Sequence, residues 1–337
     1  MSYRVQVPET SLSFDVAPDE SILTAALRAN VSLPHNCQLG GCGTCRIKLI
    51  EGAVTYREFP LALTPEEESA GYALACQALP ASDLVIGPAS AAPPCLDPVR
   101  HTALISAIRS IGRDVIHLTL EVPGAGSVVY RPGQYMNVHI ADGSTRSFSM
   151  ASRPRERLVD FHVRTIPGGS FTEGRLARMQ TGDTLEVELP LGSFHFHAED
   201  YRPLLLVATG TGLAPLKAIL ESLFDDPDCP PVSLYWGMRT VDDLYLHDEI
   251  QSWGTRLYEF RYVPVLSRAD AAWRGRRGHV QDAIIDDIDD LSEHSIYLCG
   301  SPAMISDAKP AFMARGASIA HIYTEGFAFQ LAQPGRD

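Results

Sequence analysis

Four cysteines carry the most specific chemistry in this chain. Cys37-x4-Cys42-x2-Cys45 share one short loop, and Cys76 follows after thirty intervening residues. That is the ligand spacing of a plant-type [2Fe–2S] cluster. Gly40, Gly41 and Gly43 lie between the ligands. Bridging sulfides accept hydrogen bonds, and residues without a Cβ let backbone N–H groups close in around them. Zinc is the competing assignment, but structural zinc usually gathers two short-spaced pairs, whereas Cys76 is alone. The chain has seven cysteines, an odd number for a disulfide framework. Cys95, Cys229 and Cys299 match no ligand spacing, and Cys95 and Cys229 read as ordinary thiols.

A second set of residues suits a flavin. In Arg146-Ser147-Phe148-Ser149 the arginine can fork onto a phosphate, the aromatic can cover a ring face, and the Ser149 hydroxyl can reach a ring nitrogen. Pro167-Gly168-Gly169-Ser170-Phe171-Thr172 offers glycine-permitted N–H groups and two hydroxyls at a helix start, a seat for a pyrophosphate. Taken singly, the first reads equally as a polar strand and the second as a surface turn. His162, Val163 and Arg164, on a strand at 159–165, are further cofactor-binding candidates.

A third set suits a dinucleotide. An apolar strand at 204–208 runs into Thr209-Gly210-Thr211-Gly212-Leu213-Ala214-Pro215 and then a helix. Glycines allow a pyrophosphate to approach the backbone, and Pro215 fits a first helical turn. This is neither a Walker loop nor a full G-x-G-x-x-G fingerprint. Tyr235-Trp236-Gly237-Met238-Arg239 should line the adenosine side, and Leu298-Cys299-Gly300-Ser301-Pro302 lies at another strand end. Ligands sit at the carboxyl ends of parallel strands. A buried packing thiol is the alternative for Cys299. His195 and His197, two apart on an expected strand, have no metal-like spacing and read as surface or core residues.

The elements needed to position these groups fall into three segments. Residues 1–88 begin with two alternating runs, Tyr3/Val5/Val7 and Leu12/Phe14/Val16, which predict a hairpin. A helix follows with Ile22, Leu23, Ala26 and Leu27 on one face, and Thr64-Pro65-Glu66-Glu67 is a capped helix start. Proline and small residues mark 89–100 as a linker. Residues 101–198 hold short alternating strands separated by Gly and Pro, the pattern of an antiparallel barrel. Residues 199–337 alternate buried-type strands with helices, which implies a parallel α/β sheet.

The net charge of −13 leaves no basic stripe for nucleic acid. The middle segment is the most basic, as suits an anionic cofactor. No apolar run reaches a membrane span and the N-terminus shows no signal-peptide core, so a cytoplasmic protein without a membrane partner is expected.

These motifs, in the order cluster, flavin, nicotinamide, resemble the ferredoxin–NAD(P) reductase family. The nearest branch carries an N-terminal [2Fe–2S] ferredoxin domain and contains the reductase components of bacterial aromatic-ring-hydroxylating oxygenases. The resemblance covers nearly the whole chain. It implies a multidomain α+β, β and α/β fold: a β-grasp ferredoxin domain, an antiparallel β-barrel FAD domain and a parallel α/β nicotinamide domain. It implies that Arg146, Ser147, Phe148 and Ser149 bind FAD, with Phe148 replacing the family's usual tyrosine, and that Gly169, Ser170 and Thr172 hold its pyrophosphate. It assigns Thr209, Gly210, Thr211, Gly212, Pro215, Gly237, Arg239, Cys299, Gly300 and Pro302 to the coenzyme. Glu325-Gly326-Phe327 resembles the family's Glu-x-Phe motif facing the flavin. Ser149, Cys299 and Glu325 are then the catalytic candidates, and Cys37, Cys42, Cys45 and Cys76 the metal ligands.

The implied activity passes electrons from NADH to FAD to the cluster and on to a terminal oxygenase. Reductases of di-iron or cytochrome P450 monooxygenases and of deoxysugar dehydratases share this layout, and a redox-sensing module is the non-enzyme alternative. Asp242 and Asp243 favour NADH over NADPH, with Arg239 pulling the other way. The acceptor is expected to dock on Gln38-Leu39-Gly40-Gly41, steered by acidic groups that include Glu66, Glu67 and Glu68.

Overall fold

A computed structural model of the chain describes residues 2–31, 33–35, 38–41, 43–88, 98–124, 126–141 and 143–327. Cys37, Cys42, residues 89–97 of the expected linker and the segment after Phe327 lie outside the described residues.

The first unit contains β1 (Tyr3–Val7), β2 (Leu12–Val16), α1 (Ile22–Arg28), β3 (Arg46–Glu51), β4 (Val54–Thr55), α2 (Pro65–Ser69), β5 (Tyr72–Leu74), β6 (Leu79–Pro80) and β7 (Leu84–Pro88). The expected hairpin is β1–β2, paired Val5 to Phe14. Strand order β2-β1-β7-β3-β5, with β1 and β7 parallel, makes a β-grasp sheet packed on α1. One detail differs from the periodicity. Ile22, Leu23, Ala25 and Ala26 are buried, whereas Leu27 is exposed, so the buried face is turned by Ala25 and not by Leu27. The capping box at Thr64 is complete: its hydroxyl accepts from Glu67 N at 3.2 Å, and the Glu67 carboxylate accepts from Thr64 N at 2.9 Å.

The second unit holds β8 (Val99–Ser110), β9 (Val115–Glu121), β10 (Tyr135–His139), β11 (Thr145–Ser149), β12 (Leu158–Arg164) and β13 (Thr184–Leu191). Their order is β11-β10-β13-β8-β9-β12, with antiparallel neighbours throughout. An antiparallel bridge from Met150 to Phe161 joins the two outer strands and closes the sheet into a barrel. Closure removes open edges and encloses a core of Leu118, Met136, Phe161 and Val187.

The third unit holds β14 (Leu204–Thr209), α3 (Leu213–Ser222), β15 (Val232–Met238), α4 (His247–Ser252), β16 (Phe260–Leu266), β17 (Arg276–Arg277), α5 (Val280–Asp287), β18 (Ser295–Gly300), α6 (Pro302–Met313) and β19 (Ile322–Gly326). The parallel order β17-β16-β15-β14-β18-β19 places a topological switch beside β14, where crevices for dinucleotides form. No helix among the described residues is long and apolar enough to cross a membrane.

Polar contacts tie the units together. Lys309 on α6, buried, donates to Glu67 Oε2 at 2.6 Å and to Ala62 O at 3.1 Å in the first unit. Arg46 donates to Glu67 Oε1 at 2.5 Å and to Ile322 O at 3.3 Å. Tyr135 of the barrel donates to His35 O at 2.8 Å. Glu67 is therefore part of a domain junction, and it cannot contribute to the acidic face expected from the sequence.

Candidate functional site

The β3–β5 ladder brings the described cluster candidates together. Arg46 pairs with Leu74, and Ala75 N donates to Cys45 O at 2.9 Å, so Cys45 and Cys76 approach on the same buried rim. The loop before them folds tightly. Gly40 and Gly43 have φ of +73° and +80°, a left-handed backbone that glycine adopts without steric cost. A Cβ on Gly40 would lie 2.9 Å from Pro60 Cβ, and Gly40 O accepts from Ala62 N at 2.9 Å. Two buried thiols beside a glycine-shaped cradle fit the donor set of an iron–sulfur centre. Cys37 and Cys42, the other two candidates, lie outside the described residues.

In the barrel, the two flavin motifs meet. Phe148 on β11 packs against Phe171, ring centroids 5.7 Å apart, bringing Arg-x-Phe-Ser beside the Gly169–Thr172 turn. A Cβ on Gly169 would sit 2.8 Å from Ile166 O, and Thr172 Oγ1 accepts from Ile166 N at 3.1 Å, so this turn is fixed before any ligand arrives. Ser170 opens a short π-helical stretch, Ser170–Arg175, with its side chain exposed. Arg146 donates to Thr145 O at 2.8 Å and Ser147 to Asn137 Oδ1 at 2.7 Å. Ser149 is buried at the end of β11, opposite Tyr135. On β12, Val163 points into the barrel core, which leaves only its backbone for a ligand. His162 is buried, and Arg164 is held to Asp114 Oδ2 at 2.8 Å.

Six of the dinucleotide candidates line one open cleft of about 530 Å³ at the carboxyl ends of β14, β15 and β18, whereas Gly212, Pro215, Cys299 and Pro302 lie behind its wall. Thr209, Gly210, Thr211, Gly237, Arg239, Gly300, Ser301 and Phe327 all border it. The loop is held from three sides. Ser301 N donates to Thr209 Oγ1 at 2.9 Å, Trp236 Nε1 to Gly210 O at 2.9 Å, and Phe327 N to Gly300 O at 2.8 Å. A Cβ on Gly212 would fall on the Cys299 carbonyl, and one on Gly300 on the Thr209 side chain. Pro215 is buried at the third position of α3, where no helical N–H is required, and Pro302 starts α6 behind a Ser301 cap.

Two expectations about this cleft change. Tyr235 and Trp236 do not line an adenosine; both are fully buried, Tyr235 donating to Asp287 Oδ2 at 2.9 Å. They precede the strand end, so alternation turns them into the two faces of the sheet. Asp243 borders the cleft, but its Oδ2 already accepts from Thr240 N at 2.9 Å and Thr240 Oγ1 at 2.8 Å. His195 and His197 lie in no strand; both are buried, with rings stacked 4.3 Å apart and His197 stacked on Tyr323 at 4.2 Å.

Cys299 and Glu325 are direct neighbours across the β18–β19 ladder and are both buried. Burial first, and then the Glu325 carboxylate, push the Cys299 thiol well above its usual range, so it stays protonated at neutral pH. Glu325 also meets the cluster loop: Thr44 Oγ1 lies 3.4 Å from Glu325 Oε1, and a Cβ on Gly43 would be 3.0 Å from Thr324 Oγ1. The cluster rim and the end of the nucleotide cleft therefore share one strand end. Sequence reasoning missed Asp114, Arg113, Ser267, Arg268, His279, Gln281 and Asp307 on the cleft, which belong to no motif and arrive from turns, the start of α5 and the middle of α6.

Comparisons with known proteins find three family models in succession along the chain. Residues 5–81 match the 2Fe-2S iron-sulfur cluster binding domain, 102–196 the oxidoreductase FAD-binding domain and 206–310 the oxidoreductase NAD-binding domain. The chain is 34% identical to reductase component 1 of a terephthalate 1,2-dioxygenase from Comamonas, over 97% of this chain and 98% of the relative. It is 32% identical to a CDP-6-deoxy-L-threo-D-glycero-4-hexulose-3-dehydrase reductase from Yersinia pestis, over 97% and 99%. Among solved structures, the Amycolatopsis cytochrome P450 reductase GcoB superposes with a TM-score of 0.72 at 33% identity, covering 96% of this chain and 98% of that one.

Proposed function

The chain belongs to the family of reductases that join 2Fe-2S, FAD-binding and NAD-binding domains, and on that premise we propose that its electrons go to a terminal oxygenase acting on aromatic compounds. When bound, FAD supplies the exchange between a two-electron hydride donor and a one-electron cluster.

The protein's own part is positional. Thr209–Gly212 and Gly300 shape the cleft for a dinucleotide backbone, and Phe327 closes one side of it. Ser149 would offer its hydroxyl to the flavin ring, while Arg146 and the Gly169–Thr172 turn would hold its phosphates. Cys299 and Glu325 would face the reacting rings, Cys299 as a neutral thiol. Cys45 and Cys76, with Cys37 and Cys42, would hold the cluster.

The observation that carries this reading is the meeting of Thr44, one residue before Cys45, with Glu325, the neighbour of Cys299. It would set the way out for electrons beside the way in. The surface of that exit exposes Leu39, Phe59 and Leu61, joined through the Gly40–Ala62 backbone bond, which suits an acceptor with an apolar contact face.

The test is reoxidation of the NADH-reduced protein by purified acceptors. A Rieske-type aromatic oxygenase should discharge the cluster with a second-order rate above that of a cytochrome P450 or a deoxysugar dehydratase. Faster discharge by either of those would reassign the partner while leaving the reductase chemistry in place.

A further inference from the structure

The interface between the barrel and the nucleotide domain holds an aromatic side chain that belongs to none of the ligand motifs. Tyr245 follows the short turn Val241–Asp243 after β15, and its ring is inserted between the two domains. On the barrel side it meets His162 of β12 edge-on, centroids 5.3 Å apart at 88°. On the nucleotide side it meets Trp236 of β15 edge-on, centroids 5.1 Å apart at 87°. A third wall is Gly112, in the turn between β8 and β9, where a Cβ would lie 3.1 Å from Tyr245 Cβ.

Both rings that Tyr245 touches lead to the candidate site. Trp236 Nε1 holds the Gly210 carbonyl at 2.9 Å, the first glycine of the loop on the cleft. His162 lies two residues before Arg164, which borders the same cleft from the barrel. We propose that Tyr245 is a positioning residue for hydride transfer, fixing the barrel's flavin strand against the nucleotide loop so that the two reacting rings meet at the productive distance. This rests on the reading of the cleft as the coenzyme site and of β12 as flavin-adjacent.

Ring packing, more than hydrogen bonding, makes the contact. The Tyr245 hydroxyl is 3.3 Å from His162 Nδ1, long for a hydrogen bond, whereas edge-to-face pairs contribute through shape and quadrupole. The phenylalanine variant should therefore keep the function and an aliphatic one should lose it. Misplacing reacting atoms by about 1 Å can cost on the order of 100-fold in rate.

The experiment is anaerobic stopped-flow reduction of the FAD-loaded protein by NADH, in Tyr245→Leu, Tyr245→Phe and Gly112→Ala. Gly112 has no positive φ, so its alanine is conformationally allowed and presses on Tyr245 from outside the site. In Tyr245→Leu the limiting rate of flavin bleaching should fall roughly 10- to 100-fold, with the NADH Kd within about 3-fold of wild type. The long-wavelength charge-transfer absorbance of the reduced flavin–NAD⁺ pair should weaken in parallel, which a role in stability alone would not produce. Tyr245→Phe should behave as wild type and Gly112→Ala fall between, so the inference is open to test even where the leucine variant does not fold. A loss confined to Kd, an unchanged charge-transfer band, or equal damage from phenylalanine and leucine would overturn it. Absence of NADH-driven bleaching in the wild-type protein would instead refute the underlying coenzyme assignment.

Discussion

Replacing Glu67 by glutamine should undock the ferredoxin unit more severely than removing either of its cationic partners. Glu67 is fully buried and accepts from Lys309 Nζ at 2.6 Å, Arg46 Nη1 at 2.5 Å and Thr64 N at 2.9 Å. Burial pushes its carboxyl pKa up, but Lys309 and Arg46 more than reverse this and hold it below its ordinary 4.5. Burial pulls Lys309 down to about 8 against the attraction of Glu67, so both partners are charged at pH 7. In Lys309→Met, Glu67 keeps Arg46 and the Thr64 N–H, and Ala62 O loses its donor. The cost should be about 1–3 kcal/mol, that of a stranded polar group. In Glu67→Gln, two cations share one dry pocket with a neutral amide, and breaking a buried pair in this way costs about 3–5 kcal/mol. Three domains do not unfold as one, so the readout is the urea midpoint of cluster absorbance, separate from flavin fluorescence. With a slope of about 2 kcal/mol per molar, the cluster midpoint should fall by roughly 2 M in Glu67→Gln and about 1 M in Lys309→Met. Because the folded carboxyl pKa is depressed, its contribution is present above 4.5 and lost as pH falls through the folded value, so the Glu67→Gln difference should shrink in acid. Equal midpoints for the two variants, or a larger loss in Lys309→Met, would refute the reasoning.

Flavin reduction by NADH should be independent of pH from 6 to 8. Burial holds His162 neutral, well below 6.5, and burial with Glu325 holds Cys299 as a thiol, so neither changes charge in that window; a sigmoidal rate profile there would contradict this. NADH should be preferred to NADPH, since the carboxylate of Asp243 borders the cleft together with Arg239, and equal kcat/KM for the two coenzymes would count against it. Cluster discharge to the acceptor should depend on Leu39 and Phe59 more than on surface charge. Leu39→Ser should lower the second-order rate several-fold while Glu66→Gln leaves it nearly unchanged, and the reverse ranking would restore charge steering.

The three units were legible from their patterning, period-two alternation in the first two and buried-type strands alternating with helices in the third. Period-two runs such as Tyr3/Val5/Val7 gave the first hairpin, and apolar runs such as Leu204–Ala208 gave the parallel sheet. Ligand candidates were legible where backbone shape forces residue type, as at Gly212 and Gly300, where a Cβ collides with neighbouring chain. What stayed hidden depends on packing between units. Glu67 reads as one member of a solvated acidic run, because nothing local shows that Lys309, 242 residues away, will bury it. Tyr245 stands in no motif, and its partners, His162 and Gly112, belong to another domain. The buried stack of His195, His197 and Tyr323 was ambiguous for the same reason.

The most direct test of the account is the order of electron flow, read in Cys76→Ser under anaerobic stopped flow. The variant should lose the cluster's visible absorbance, retain FAD, and show NADH-driven flavin bleaching at the wild-type rate, with delivery to the terminal oxygenase abolished. A folded, FAD-bound Cys76→Ser protein that no longer bleaches with NADH would contradict it.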